Sequence, residues 1–351
     1  MKSLPVSFGK LTKLQHVDLS QCKNLEMLPD SLGNLVQLQH LYLNRCCKLT
    51  ISNKNFGKLS TLECLDLSGC SKIQVFPHQV EHNRLLRELI IRGTGLKELP
   101  TAIGELSQLE VLILDIQWLK ILPPSIGYLR SLQRLELLSS QLKRLPESIG
   151  NLKSLKQLRI KSLKLLECLP HSIGYLTSLE ELVVWNCSKL KCVPDSIRLL
   201  TQLRELKIGQ SGVEYLPPCV MERNNLARLE IEDCSLSKLP FRKDGGERGA
   251  LKSLNVGLCI ELPWLPSLET LAALERLEIS GCCKLKSIKG LAQLTKLRTL
   301  EVPGCHQLEE LEGVEHSMSL KRLNASACPK LQWDRKVMGQ LRQRLKKSLI
   351  M

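Results

Sequence analysis

The sequence predicts an α/β solenoid: a concave parallel sheet of about fourteen short strands, short helical or 3-10 turns on the convex side, and a helix capping the C-terminal end. Three observations carry that prediction. A unit written LxxLxxLxLxxC returns about every 23 or 24 residues, with copies starting at Leu11, Leu35, Leu59, Asn83, Leu106, Leu129, Leu152, Leu176, Leu200, Arg223, Arg248, Leu271, Leu294 and Ser317. A second half, LPxSIGxL, follows in many copies, as in LPPSIGYL from Leu122 and LPESIGNL from Leu145. Nine of the fifteen cysteines, Cys22, Cys46, Cys70, Cys187, Cys234, Cys259, Cys282, Cys305 and Cys328, occupy the twelfth place of the unit.

Each element follows from local chemistry. The LxL segment alternates apolar and polar residues, the period of a strand with one buried face. Val17, Leu41, Leu65, Leu89 and Leu112 are the first inward anchors of the first five copies, and the residue after each faces out. The Cys place needs a small side chain able to satisfy turn amides, and Thr94, Ser140 and Ser211 fill it elsewhere. Leu-Pro then leads into Ser-Ile-Gly, where Pro starts and Gly stops a single helical turn. No coil buries its leucines alone, so stacking supplies about 1.5–3 kcal/mol per buried Leu.

The ends and one interruption depart from the pattern. KSLPVSFGK, Lys2 to Lys10, is the second half of a unit, so a first coil without a polar cap is expected. FRKDGGERG, Phe241 to Gly249, replaces one SIG segment and is expected to be a convex insertion. After the solenoid, residues 1–332, Val337, Leu341, Leu345 and Leu349 fall at helical spacing among Arg and Lys, which predicts a basic capping helix over 333–351.

Composition narrows the class. Aromatic residues make up 3%, so the core is built from Leu and Ile. There is no run of 18 apolar residues and no apolar region after Met1 and Lys2, so a cytoplasmic chain is expected, or a nuclear one. An odd number of cysteines without a CxxC predicts reduced structural thiols. Part of the net charge of +15 is a Lys row at the fourteenth place, Lys48, Lys72, Lys189, Lys284 and Lys330, and part is the tail from Asp334. Such a rim is a solvated edge in the plainer reading; rim and tail together also suit weak contact with an anionic membrane. Nucleic acid is disfavoured as a partner, because base-stacking aromatics do not interleave the basic residues.

Function is expected on the concave face. Its central outward place reads Asp18, Tyr42, Asp66, Ile90, Ile113, Glu136, Arg159, Val183, Lys207, Glu230, Asn255, Glu278, Glu301 and Asn324. Apolar residues in a solvated column are the anomaly. Ile90 and Ile113 are joined by Val111, Ile116 and Leu138; a basic band of Lys156, Arg159 and Lys161 follows, then Val183 with Trp185, then Arg204 and Lys207. Beyond these lie the acids Glu230, Glu232 and Asp233. An apolar patch beside a basic band and a Trp has the composition of a protein-binding hot spot. The competing reading is that Ile and Val there only follow β propensity. His16, His40 and Cys64 share one outward column, but the outer two stand about 10 Å apart and do not converge on one zinc. No cofactor or metal is expected, and with no pocket to hold a catalytic set, no enzyme.

LPDSLGNLVQLQHLYLNRCCKL from Leu28 and LPHSIGYLTSLEELVVWNCSKL from Leu169 resemble the leucine-rich-repeat region of plant nucleotide-binding disease-resistance proteins. The GCSKI and NCSKL variants are most similar to the class carrying a Toll/interleukin-receptor-type domain. The resemblance covers nearly the whole chain, without the switch domain, since no phosphate loop GxxxxGK[ST] occurs. It implies a curved horseshoe, and a protein ligand: a pathogen effector, a guarded host protein or the nucleotide-binding switch domain. The alternative is a repeat-only intracellular signalling scaffold, similar to other proteins with LPxxI units.

Overall fold

The computed structural model describes residues 1–51, 58–138, 141–220, 225–239, 250–265 and 267–351. Ser140, the copy starts Arg223 and Arg248, and the segment Phe241 to Gly249 lie outside the described residues. The chain divides into two compact units, Met1–Leu179 and Glu180–Met351.

Unit 1 is a stack of parallel strands in sequence order: β1 (His16–Asp18), β2 (His40–Tyr42), β3 (Cys64–Asp66), β4 (Glu88–Arg92), β5 (Val111–Asp115), β6 (Arg134–Leu138) and β7 (Gln157–Lys161). Its register matches the repeat alignment place for place. Val17 pairs with Leu41, then Leu65, Leu89, Leu112, Leu135 and Leu158, and all are buried. The LPxSIG halves form single 3-10 turns, among them Thr101–Glu105, Pro124–Tyr128 and Glu147–Asn151, each entered from an extended proline. The glycine of SIG is required by the neighbouring coil. A Cβ on Gly104 would strike the carbonyl oxygen of Ser125, and one on Gly127 would strike that of Ser148.

Cysteine at the twelfth place also works between coils. The buried Cys46 thiol donates to the Leu19 carbonyl at 3.1 Å, and Cys70 to that of Leu43 at 3.0 Å. Burial pushes the Cys70 thiol up to about 12, so it stays a protonated donor. The residue before it turns the chain through the left-handed region, with Gln21 at φ 63°, Arg45 at 63° and Gly69 at 75°.

Unit 2 repeats the plan with β8 (Glu181–Trp185), β9 (Glu205–Ser211), β10 (Arg228–Cys234), β11 (Ser253–Gly257), β12 (Arg276–Ser280), β14 (Thr299–Glu301) and β16 (Arg322–Asn324). A short second ladder of β13 (Ser287–Ile288) with β15 (Glu310–Leu311) forms at the place that Leu-Pro holds in other coils. The thiol ladder continues: Cys305 donates to Ile279 at 3.3 Å and Cys328 to Val302 at 2.9 Å. Fourteen strands in register with the fourteen-copy alignment bear out the predicted fold.

The tail departs from the expected single helix. Helix α1 (Arg335–Leu345) begins at Asp334, whose carboxylate accepts from the amides of Lys336 and Val337, and it buries Leu341 and Leu345. From Lys346, at φ 47°, a short 3-10 turn (Lys346–Ser348) leads the chain out of the helix and into β17 (Leu349–Ile350). Leu349 pairs with Leu323 and Ile350 with Asn324, so the tail closes the sheet edge beside β16 with a further strand. Among the described residues, no helix is long and apolar enough to cross a membrane.

Candidate functional site

In both units the sheet has one face packed on the core and one face open, and three outward columns line the open face. In unit 1 the central column is the expected one: Asp18, Tyr42, Asp66, Ile90, Ile113, Glu136 and Arg159 stand side by side on successive strands. Period-two alternation puts Val111 two places before Ile113, and Arg92, Asp115, Leu138 and Lys161 in the column two places after the centre.

Five residues of the sequence expectation are corrected here. Ile116 is fully buried: this coil is one residue shorter between strand and turn, and Ile116 occupies the cysteine's structural place. Its carbonyl accepts from Leu119 at 3.1 Å as that of Cys70 accepts from Ile73 at 3.0 Å. Ile113 lies on the open face but is only 7% exposed, shut in between Ile90 and Glu136 on the flanking strands. Lys156 comes just before β7, off the parity of Arg159 and Lys161, and stands exposed at the sheet margin. In unit 2, Arg204 has the same position before β9, and Val183 is only 6% exposed. Of the apolar residues expected on the open face of unit 1, Ile90, Val111 and Leu138 are half-buried and keep accessible surface.

Beside these lies an ion cluster that column-by-column reading of single strands missed. The Glu136 carboxylate, 11% exposed, faces Arg92 at 3.5 Å and Lys161 at 3.4 Å. Burial pushes the Asp115 carboxyl above its ordinary value, Arg92 pulls it down and Glu136 adds to the rise. Its signal lay in the register: Arg92, Asp115, Leu138 and Lys161 form one row across four strands.

At the start of unit 1 the His16, His40 and Cys64 column is present in register. The two imidazole rings stack at 4.4 Å between centroids, with planes 16° apart, so their nitrogens do not converge. Burial, with Glu88 adding to it, pushes the Cys64 thiol up to about 11. Among the described residues, no group of three His, Cys, Asp or Glu is placed to hold a metal ion.

In unit 2 the central column is Val183, Lys207, Glu230, Asn255, Glu278, Glu301 and Asn324. Lys207 bonds Glu205 at 3.0 Å and Glu230 at 3.4 Å, and the Glu205 hydrogen bond is the main reason its ammonium titrates higher than usual. Trp185 heads the next column. The indole lies across the neighbouring strand, because a Cβ on Gly209 would overlap its ring atoms Cζ3, Cη2 and Cε3. Gly209 was invisible as a site residue: its contribution is the side chain it lacks.

The basic rim of the fourteenth place is anchored to preceding coils, Lys48 on Asn24 at 3.0 Å, Lys284 on Glu261 at 2.7 Å and Lys330 on Gln307 at 2.6 Å. The apolar side of the tail helix is turned to the protein through Leu341 and Leu345.

Comparisons with known proteins agree with this architecture. Residues 114–213 match the family model described as "Leucine-rich repeat region", and residues 13–35 match "Leucine Rich Repeat". No curated protein matches the chain. A leucine-rich-repeat protein of Leptospira interrogans has a similar structure, with a TM-score of 0.73 at 24% identity over 100% of this chain and 93% of that one. An internalin of Listeria monocytogenes gives 0.49 at 14% identity, over 92% and 87% of the two chains. The ectodomain of a plant membrane receptor kinase from Arabidopsis thaliana, in complex with Casparian strip integrity factor 2, gives 0.42 at 18% identity, over 97% of this chain and 59% of that one. The chain thus contains leucine-rich repeats and has the fold of such proteins.

Proposed function

We propose that this chain is the non-enzymatic protein-recognition module of a plant-type intracellular immune receptor, acting in the cytoplasm and binding an effector, a guarded host protein or a nucleotide-binding switch domain. Binding uses the open sheet face. One observation supports this most: Ile90, Val111 and Leu138 in unit 1 and Trp185 in unit 2 hold apolar surface on the open face, away from the leucine core. The plant and receptor parts of the reading rest on the resemblance of the LPxSIGxL and NCSKL segments.

Affinity capture from plant cytosol tests the binding half. The wild-type chain should retain a protein set that both Leu138→Asp and Trp185→Ala lose, while Tyr128→Ala, on an exposed 3-10 turn, keeps it. Retention of the same set by both open-face variants would contradict it. The full-length transcript tests the receptor half: a GxxxxGK[ST] phosphate loop encoded in the same reading frame supports it, and a transcript without one refutes it.

A further inference from the structure

The open face of unit 2 has a chemistry of its own. Its column after the centre runs Trp185, Gly209, Glu232, Gly257, Ser280 across the paired strands β8 to β12. The Trp185 ring lies over Gly209. Beyond Glu232, the missing side chain of Gly257 leaves a depression of about 180 Å³, lined by Glu232, Asn255, Ser280, Glu278 and Glu301. That is the space of roughly six waters, enough for one side-chain head group. Glycine inside a strand marks a place where another chain can approach the backbone closely.

The carboxylates are held from one side only. Arg276 bonds Glu278 at 3.0 Å and Arg322 bonds Glu301 at 2.8 Å, both from the strand starts, and Glu232 makes no ion pair among the described residues. Three carboxylates around a polar depression, next to a flat indole, is the environment that receives a guanidinium: charge-assisted bonds below and a π face beside it. The spacing fits an extended chain. From the indole over β9 to the depression beside β12 is three strand spacings of about 4.8 Å, and residues four apart in an extended segment span about 14 Å.

Building on the recognition reading above, we propose that the open face of unit 2 docks a basic extended segment of a protein partner, with one arginine seated among Glu232, Glu278 and Glu301 and a second, four residues away, stacked on Trp185. The net charge of +15 makes the proposal discriminating, because the chain as a whole repels a basic peptide and only a local acidic site can hold one.

The test is fluorescence anisotropy of a labelled nonapeptide of Ser and Gly carrying two arginines four apart, at about 50 and about 300 mM salt. The wild-type chain should bind it saturably, more weakly at the higher salt. The double variant Glu232→Gln/Glu278→Gln should weaken binding about tenfold or more, and Trp185→Ala about threefold to tenfold. Glu105→Gln, exposed on a unit 1 turn, should leave binding unchanged. Gly257→Ala supplies a second variant with the carboxylates intact: its Cβ would meet Ser280 Oγ at 3.2 Å and Glu232 Cγ at 3.3 Å, so small side-chain shifts admit it and the depression fills. It should weaken binding about threefold. No saturable binding at low salt, equal loss with Glu105→Gln, or indifference to both Gly257→Ala and the double variant would overturn the proposal. If the peptide fails while affinity capture still depends on Leu138 and Trp185, this inference falls and the recognition reading stands.

Discussion

The open faces of the two units are built on the same three columns and arrive at different chemistry. In unit 1 the carboxylate of Glu136 is enclosed between Arg92 and Lys161, and half-buried aliphatic side chains surround the cluster. In unit 2 two strand glycines open gaps, an indole fills one, and carboxylates edge the other. The difference teaches that stacking constrains only the inward places. The outward columns are free to be satisfied internally, as in unit 1, or left partly satisfied for a partner, as in unit 2.

The largest test of that contrast is loss of the enclosed carboxylate. Glu136→Ala leaves two cations on a half-closed face and should cost about 2–3 kcal/mol in urea unfolding. Glu230→Ala in unit 2, whose partner Lys207 keeps Glu205, should cost under about 1 kcal/mol. Equal costs would break the comparison.

Next comes the seat of the indole. Gly209→Ala pushes the Trp185 ring off its strand and should destabilise by about 1–2 kcal/mol, and Gly209→Ala combined with Trp185→Ala should recover much of that loss. Additive losses in the double variant would show that the ring does not rest there.

A smaller effect, of opposite sign, concerns the turn after each strand. Glycine holds that place at Gly69, φ 75°, in unit 1 and at Gly281, 62°, and Gly304, 71°, in unit 2, whereas Leu258, half exposed, is held there at 52°. Leu258→Gly should therefore stabilise by about 1 kcal/mol, read as a raised Tm.

The smallest is a pH effect confined to unit 1. Because burial raises the folded-state value of Asp115 above the ordinary 3.8, the folded state binds that proton more tightly than the unfolded one. The stability this group contributes is therefore present below 3.8 and lost as pH rises through the folded value. Asp115→Asn should match wild type in acid and exceed it at neutral pH, by urea unfolding at both; a gap that is widest in acid would reverse the assignment.

The inward half of the fold was legible because every coil repeats it: Leu41, Leu65, Leu89 and Leu112 are alike in sequence and alike in place. The outward half was legible only as columns. Ile116 was misplaced because one deleted residue moved it onto the cysteine ladder, and Lys156 and Arg204 because adjacency in sequence hid their parity. Ile113 and Val183 were on the expected face, yet both are nearly closed off from solvent, Ile113 between Ile90 and Glu136 and Val183 beside Lys207. Gly209 and Gly257 gave no signal within their own coils. Their meaning arises only beside Trp185 and Glu232 on the paired strands. The closing strand Leu349–Ile350 was hidden by a helical spacing that continues past the turn at Lys346.

The central claim is that partners bind the open sheet face. Hydroxyl-radical footprinting of the chain with and without the captured partner tests it most directly, since the molecule carries its own controls in Trp118 and Trp264, each half exposed in loops off the strands. Binding on the open face predicts that oxidation of Trp185 and Leu138 falls severalfold, while Trp118 and Trp264 are unchanged. Protection of Trp118 or Trp264 with Trp185 and Leu138 unaltered would contradict it.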